Sequence, residues 1–507
     1  MHISFSYSLL KELVQDSKTI EWGPKLRDAI LKRKDHIWFP AIPVQDLLTE
    51  ILKDNSLPSW LESLLSQSHF FTPSLLSLQK GKYAEENWRE DFFSHVPKGF
   101  LIEKASSNLE RHLGVKEYLQ ISFPASEKAL PFLDLQEEYL QHFEEWNRAV
   151  QEVFTSCHFI LGPQVSELEK RLCQYLDISY AIGTSSGTEA LVIALRSLAI
   201  VKKGKEFWDS EDLIITTPFT FTATGDAILR AGATPVFLDI DEKTYNLCPQ
   251  QVEDFLKKEG KKVVALLPVH LYGLSAPMDD LMNIAQKYNL FVVEDVAQAF
   301  GGKWKDKFLG TLGDLGCFSF FPSKNLGGAG DGGMVVTHDK ELADVARMLI
   351  RHGGKDKYNV DHVGYNGRLD TLQASLLLAK LPYIDHWNER RRNHAHIYHQ
   401  KLVSTPLRLP SNHKLPAQHV FHQYTVQAGE WRNQLQAYLK EKGIPTMVYY
   451  PVPLHKMKVF QNRSFAPYPL KNAEKACQEV LSLPIGPFQQ EEQTLQIAEE
   501  ICDFFSS

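Results

Sequence analysis

An α/β fold is predicted for most of this 507-residue chain: a mostly parallel sheet wrapped by helices, then a smaller α+β domain. Three observations predict it. From residue 132 onward, helix-periodic segments alternate with short apolar runs, the pattern of βαβ units. One of those runs, Leu290-Phe291-Val292-Val293-Glu294-Asp295, is long and uninterrupted enough to be a buried parallel strand, with Asp295 at its carboxyl end. A third segment, Gly183-Thr184-Ser185-Ser186-Gly187-Thr188-Glu189, offers small hydroxylated residues and glycine just before the apolar-periodic 190–198. That is how a helix start is written.

Taken in order, residues 1–125 form an N-terminal accessory module that is α-rich, with α/β as the alternative. Residues 20–31, 44–52 and 57–65 each repeat apolar side chains at three- and four-residue intervals. Trp22, Trp38, Trp60 and Trp88 are expected as packing residues, and the apolar piece at 99–102 as a strand. The character of the chain changes near 122–131. Tyr139, Leu140, Phe143, Trp146, Val150 and Val153 then mark one helix face. Strands are predicted at 213–216, 235–238, 263–267, 291–293 and 334–336. The large domain is expected over 130–380 and the small one over 381–507, opening on a basic helix at 387–402. Its Arg390, Arg391 and Arg392 are expected on a solvated face, with a diphosphate contact as the alternative.

Composition limits the function. A hydrophobic share of 43% supports large cores, and the net charge of −7 carries no nucleic-acid or anionic-membrane footprint. No stretch has the uncharged length that crosses a bilayer, and the first residues lack the features of a signal peptide. The six cysteines show no C-x-x-C or zinc-like spacing, so they are expected as reduced, mostly buried thiols of a cytoplasmic protein, with no metal site.

The chemistry is concentrated in three places. Lys324 follows the apolar run Cys317-Phe318-Ser319-Phe320-Phe321 on a short loop, with hydroxyls at Ser319 and Ser323 and glycines at 327 and 328. Partial desolvation there lowers an ammonium's pKa and exposes a nucleophilic amine, as a pyridoxal phosphate Schiff base requires. Alone, a loop lysine is ordinarily a solvated one. Asp295 lies where open α/β sheets bind ligands, and a carboxylate there can pair with a protonated pyridine nitrogen, with Gln298 in reach of the ring's phenolic oxygen. The 184–187 turn, read by itself, is an N-cap; beside a cofactor it is a phosphate site.

The order of cup, strand-end aspartate and lysine resembles the fold-type I pyridoxal phosphate enzymes. Within them the chain is similar to the DegT/DnrJ/EryC1/StrS family of nucleotide-sugar aminotransferases, from about Pro131 to the C-terminus. The matching segments include Phe159-Ile160-Leu161-Gly162-Pro163, Pro218-Phe219-Thr220-Phe221-Thr222-Ala223-Thr224, His270-Leu271-Tyr272-Gly273, Glu294-Asp295-Val296-Ala297-Gln298, Gly364-Tyr365-Asn366-Gly367-Arg368 and Tyr450-Pro451-Val452-Pro453-Leu454-His455. The resemblance implies that Lys324 binds the cofactor covalently and shuttles the proton. It gives Asp295 the pyridine nitrogen and Gln298 the ring oxygen. Gly187, Thr188 and Ser319 take the phosphate, and Phe221 stacks on the ring. Asn366 would reach the phosphate of a neighbouring subunit, which implies a homodimer.

His270 and Tyr272 after a strand end, and Tyr450 and His455 on a proline-stiffened loop, are candidates for the substrate side. The implied reaction moves an amine from glutamate to a nucleotide-linked keto sugar, a 3-keto sugar by the closest pattern, for amino-sugar and polysaccharide synthesis. Two rivals remain. A sugar dehydratase of the same family is opposed by Lys324, and a non-enzymatic regulator is opposed by the presence of every cofactor-contacting residue type.

Overall fold

The structure is a computed structural model that describes residues 101–104, 119–122, 130–259, 262–356, 358–411 and 416–506. The chain divides into two compact units, Met1–Lys128 and Ala129–Ser507. In the first, strand β1 (Leu101–Lys104) pairs antiparallel with β2 (Leu119–Ser122), Leu101 opposite Ser122. The apolar piece at 99–102 thus contributes to a strand. The helices expected at 20–31, 44–52 and 57–65, and the four tryptophans, lie outside the described residues.

The second unit begins with helices α1 (Leu135–Gln141), α2 (Phe143–Ser156) and α3 (Pro163–Leu176). The central sheet follows, built from β3 (Tyr180–Thr184), β4 (Leu213–Thr216), β5 (Thr234–Phe237), β6 (Val263–Leu266), β7 (Phe291–Asp295), β10 (Leu315–Ser319) and β11 (Gly333–Thr337). Their spatial order is β3-β11-β10-β7-β6-β4-β5. Six strands are parallel and β11 alone runs against both neighbours. All five strands expected from apolar runs are present within a residue or two. The structure adds β3, which precedes the hydroxyl-rich turn, and β10, which delivers the Lys324 loop. A small side sheet joins β8 (Lys303–Trp304), β9 (Lys307–Phe308) and β12 (Ala417–Gln418).

The strands read as continuous apolar runs because both faces are covered. Neighbouring strand residues face opposite cores, as strand alternation requires. Ile182, Ile214 and Val293 enter one core with α4 (Gly187–Leu198), α5 (Thr222–Arg230), α8 (Lys340–Leu349) and α12 (Lys471–Glu479). Ala181, Ile215 and Val292 enter the other with α3, α6 (Pro249–Glu259), α7 (Met278–Tyr288) and α9 (Thr371–Lys380). Helix α4 is buried at every position from Ala190 to Leu198, so it is apolar nearly all round. A third core gathers α10 (Ile384–Leu402), β13 (Tyr424–Gln427), α11 (Arg432–Glu441), β14 (Val480–Leu483) and α13 (Glu491–Ser506) around Tyr398, Tyr424 and Leu481.

Two expectations change. Arg391 is not on a solvated face. It is 3 % exposed and donates to the carbonyls of Phe421, Ile485 and His422 at 3.3, 3.1 and 3.5 Å. Burial pushes its guanidinium down to about 10. All six cysteines are free, but only Cys317 and Cys477 are buried; Cys157 is exposed. Among the described residues, no helix is long and apolar enough to cross a membrane.

Candidate active site

Asp295 ends β7 in the middle of the sheet, at the carboxyl edge of the parallel strands, with Cys317 of β10 beside it. The residue is 4 % exposed. Its Oδ2 accepts from Thr224 Oγ1 at 2.8 Å and its Oδ1 from the Ala297 N–H at 3.1 Å. Burial pushes the carboxyl up, and these two donors, followed by the charge of Lys324, pull it back.

Lys324 is half-buried. Its loop is held at both ends: the Lys324 N–H donates to Phe321 O at 2.8 Å, Gly328 N–H to Phe320 O at 2.7 Å, and Lys380 Nζ to Gly327 O at 2.6 Å. Asn325 ties the same loop to Asn388 Oδ1 at 2.6 Å and to Val420 O at 3.1 Å. Its surroundings lower the Lys324 ammonium to about 8, chiefly by burial, against the field of Asp295. His422, whose imidazole is pushed well below its usual value by burial and then by the Lys324 charge, lies on the adjoining segment.

The segment expected to form a phosphate cup lies where α4 starts beside the end of β10. Ser186 caps the helix, its hydroxyl accepting from the Glu189 N–H at 3.1 Å. A Cβ on Gly187 would lie 2.6 Å from Ser319 Cβ, so only glycine lets the helix start approach Ser319 this closely. Gly187, Thr188 and Ser319 therefore converge around first-turn N–H groups that no helix satisfies internally.

Gln298 is fixed from both sides: its Oε1 accepts from the Tyr272 N–H at 2.8 Å and its Nε2 donates to Tyr450 OH at 2.8 Å. The outer edge is Phe221, 55 % exposed, its ring centroid 6.1 Å from that of Tyr450. A partly neutral lysine, a strand-end carboxylate, an open aromatic face and an anion cup fit pyridoxal phosphate group by group.

The other expected site residues separate. His270 is fully buried: Nδ1 accepts from the Ala276 N–H at 3.0 Å, so Nε2 carries the proton and donates to Glu294 Oε2 at 3.0 Å. That makes His270 an interior support of the strand end, not a substrate contact. Tyr272 is likewise buried, its hydroxyl on Tyr449 O, and it holds the 449–450 loop. His455 Nε2 lies 3.0 Å from Glu474 Oε1, while its Nδ1 is buried with no hydrogen-bond partner among the described residues. Asn366 is exposed and bonded to Arg368, next to Gly367, whose carbonyl accepts from the Ser185 N–H at 2.8 Å. The sequence alone gives Thr224 no role. Its contact with Asp295 spans 71 residues, and no spacing rule signals it.

The model of the DegT/DnrJ/EryC1/StrS aminotransferase family matches residues 141–502. The chain is 44% identical to a pleiotropic regulatory protein of Geobacillus stearothermophilus over 74% of this chain and 98% of the relative. It is 41% identical to the UDP-N-acetyl-3-dehydro-alpha-D-glucosamine 3-aminotransferase of Acidithiobacillus ferrooxidans over 73% of this chain and 96% of the relative. Among solved structures, NtdA of Bacillus subtilis with bound cofactor PMP aligns at a TM-score of 0.65 and 30% identity, covering 74% of this chain and 83% of that one. With the cup, the lysine and the strand-end aspartate in place, the chain belongs to the DegT/DnrJ/EryC1/StrS family of pyridoxal-phosphate-dependent sugar aminotransferases.

Proposed function

We propose that this aminotransferase moves an amino group from glutamate to the keto carbon of a nucleotide-activated sugar, a 3-keto sugar, for amino-sugar and polysaccharide synthesis. The observation that carries the proposal is the convergence of Lys324, Asp295 and the Gly187–Thr188–Ser319 cup at one sheet edge. The relative named as a 3-aminotransferase of a 3-dehydro sugar supports the position. Bound pyridoxal phosphate supplies the electron sink through which an amine and a keto group exchange. Lys324 Nζ, as a free amine, would take the proton from the donor carbon and pass it to the cofactor, and in the second half-reaction would carry a proton from the cofactor to the former keto carbon. Asp295 would hold a positive ring nitrogen, Gln298 the ring oxygen and the cup the phosphate, with Phe221 over the ring face. Tyr450 and His455 are assigned to the sugar side, where Tyr450 is joined to Gln298.

A homodimer with Asn366 completing the neighbour's cup belongs to the same proposal. Phe159, Ile160, Leu161 and Phe321 support it, since all four are large, apolar and exposed. Cytoplasmic residence is supported by six free thiols. The test is a panel of nucleotide keto sugars with glutamate, products read by mass and NMR. Amination of a 3-keto member alone is the expected result. The name of the Geobacillus relative keeps a regulatory role as the rival. A visible absorption band that fails to shift with glutamate, and no product from any sugar, would favour the regulator.

A further inference from the structure

Three polar side chains form a buried row at the carboxylate end of β7. Thr220, Thr224 and Asp295 are 2 %, 1 % and 4 % exposed. Thr224 Oγ1 lies 2.8 Å from Asp295 Oδ2, and Thr220 Oγ1 lies 3.0 Å from Thr224 Oγ1. A hydroxyl has one proton to donate and a carboxylate only accepts. With Asp295 ionised, Thr224 must give its proton to Asp295, so the proton in the outer contact comes from Thr220. The row therefore has a direction, Thr220 to Thr224 to Asp295. The Ala297 N–H, which can only donate, fills the other carboxylate oxygen at 3.1 Å.

Neither hydroxyl is needed to start α5, whose N-cap is Phe221 and carries no side-chain cap bond. Thr224 stands in the first turn of that helix, where the helix dipole favours an anion. We infer that Thr224, oriented by Thr220, is a positioning residue that keeps Asp295 a carboxylate aimed at the cofactor's ring nitrogen. The inference rests on the assignment of Asp295 to that nitrogen. Without the Thr224 hydroxyl, one oxygen of a buried carboxylate loses its donor, and the upward push of burial on Asp295 is opposed by less. The Lys324 charge still acts on Asp295, but Lys324 does not bond its oxygens among the described hydrogen bonds. An uncharged Asp295 no longer holds the ring nitrogen protonated, and the electron sink weakens.

The experiment uses full-length holoenzyme loaded with pyridoxal phosphate labelled with 15N in the ring. The nitrogen resonance reports whether the ring is protonated. Wild type and Thr224→Ser should show the protonated signal. Thr224→Val, which keeps the shape and loses the hydroxyl, should move it toward the unprotonated position and slow the glutamate half-reaction about tenfold to a hundredfold. Asp295→Asn is the control. If Asp295→Asn moves the signal and Thr224→Val leaves signal and rate at wild type, the inference is overturned while the role of Asp295 stands. An unmoved signal in Asp295→Asn overturns both. Should Thr224→Val not fold, Thr220→Val carries the test, since it loosens the row without unpairing Asp295. A partial shift supports the inference and an unmoved signal overturns it.

Discussion

At pH 7 about one Lys324 side chain in ten is a neutral amine, against fewer than about one in a thousand for an ordinary lysine, because burial lowers its pKa to about 8. The neutral fraction rises tenfold per pH unit below that value and saturates above it. Capture of added pyridoxal phosphate by the apoprotein should therefore accelerate from pH 6 to about 8 and then level off, read by the growth of the visible band. A rate still climbing at pH 10 would mean that the lysine is an ordinary solvated one. Lys324→Ala should lose more than about a thousandfold in turnover, since one amine both holds the cofactor and relays the proton, yet retain weak cofactor binding through Asp295 and the cup. Asp295→Asn should leave a folded protein in which proton removal slows more than substrate binding weakens. A single-turnover measurement with glutamate separates the two. The charged types at these positions were legible in the sequence because each has one dominant chemistry. His270 was not, because a histidine after a strand end reads the same whether it faces a cleft or, as here, a buried glutamate.

Elements meet at two crowded points. Helix α4 approaches β10 so closely that Gly187→Ala must displace Ser319, and the cup is the part that opens. The substitution should weaken cofactor binding while far-ultraviolet circular dichroism stays unchanged, and equilibrium dialysis measures the loss. The second point is Lys380 at the end of α9. Its ammonium is 2.8 Å from Glu138 Oε1 on α1, sits 4.1 Å from the centre of the Trp146 ring and holds Gly327 O behind the Lys324 loop. Both charges are buried, so Lys380→Ala leaves Glu138 without its counter-charge. The expected cost is about 3–5 kcal/mol, seen as a fall in Tm. Spacing placed the cup because a helix start is a local event. It said nothing of Lys380 and Glu138, more than two hundred residues apart.

For the whole molecule, the exposed apolar residues Phe159, Ile160, Leu161 and Phe321, together with Asn366, predict two-fold assembly. Light scattering should give at least twice the chain mass for active enzyme. A fully active monomer would remove Asn366 from the site. The division at Met1–Lys128 and Ala129–Ser507 sharpens a second expectation. A shortened chain beginning near Ala125 should keep cofactor and aminotransfer. If it stayed soluble without holding cofactor, the N-terminal unit would be part of the site.

What the sequence by itself determined is the set of local events: five apolar runs that became strands, the helix start at Ser186, the strand end at Asp295 and the lysine after β10. Each depends on residues within one element, whose period and termini are written in neighbouring positions. Tertiary structure alone decided which polar groups meet. Asp295 faces Thr224, Gln298 is held between Tyr272 and Tyr450, Arg391 turns inward onto three carbonyls, and His270 is spent on Glu294. The physical reason is that a buried polar group must find a partner wherever the fold brings one, and that partner is set by sheet order rather than by distance along the chain.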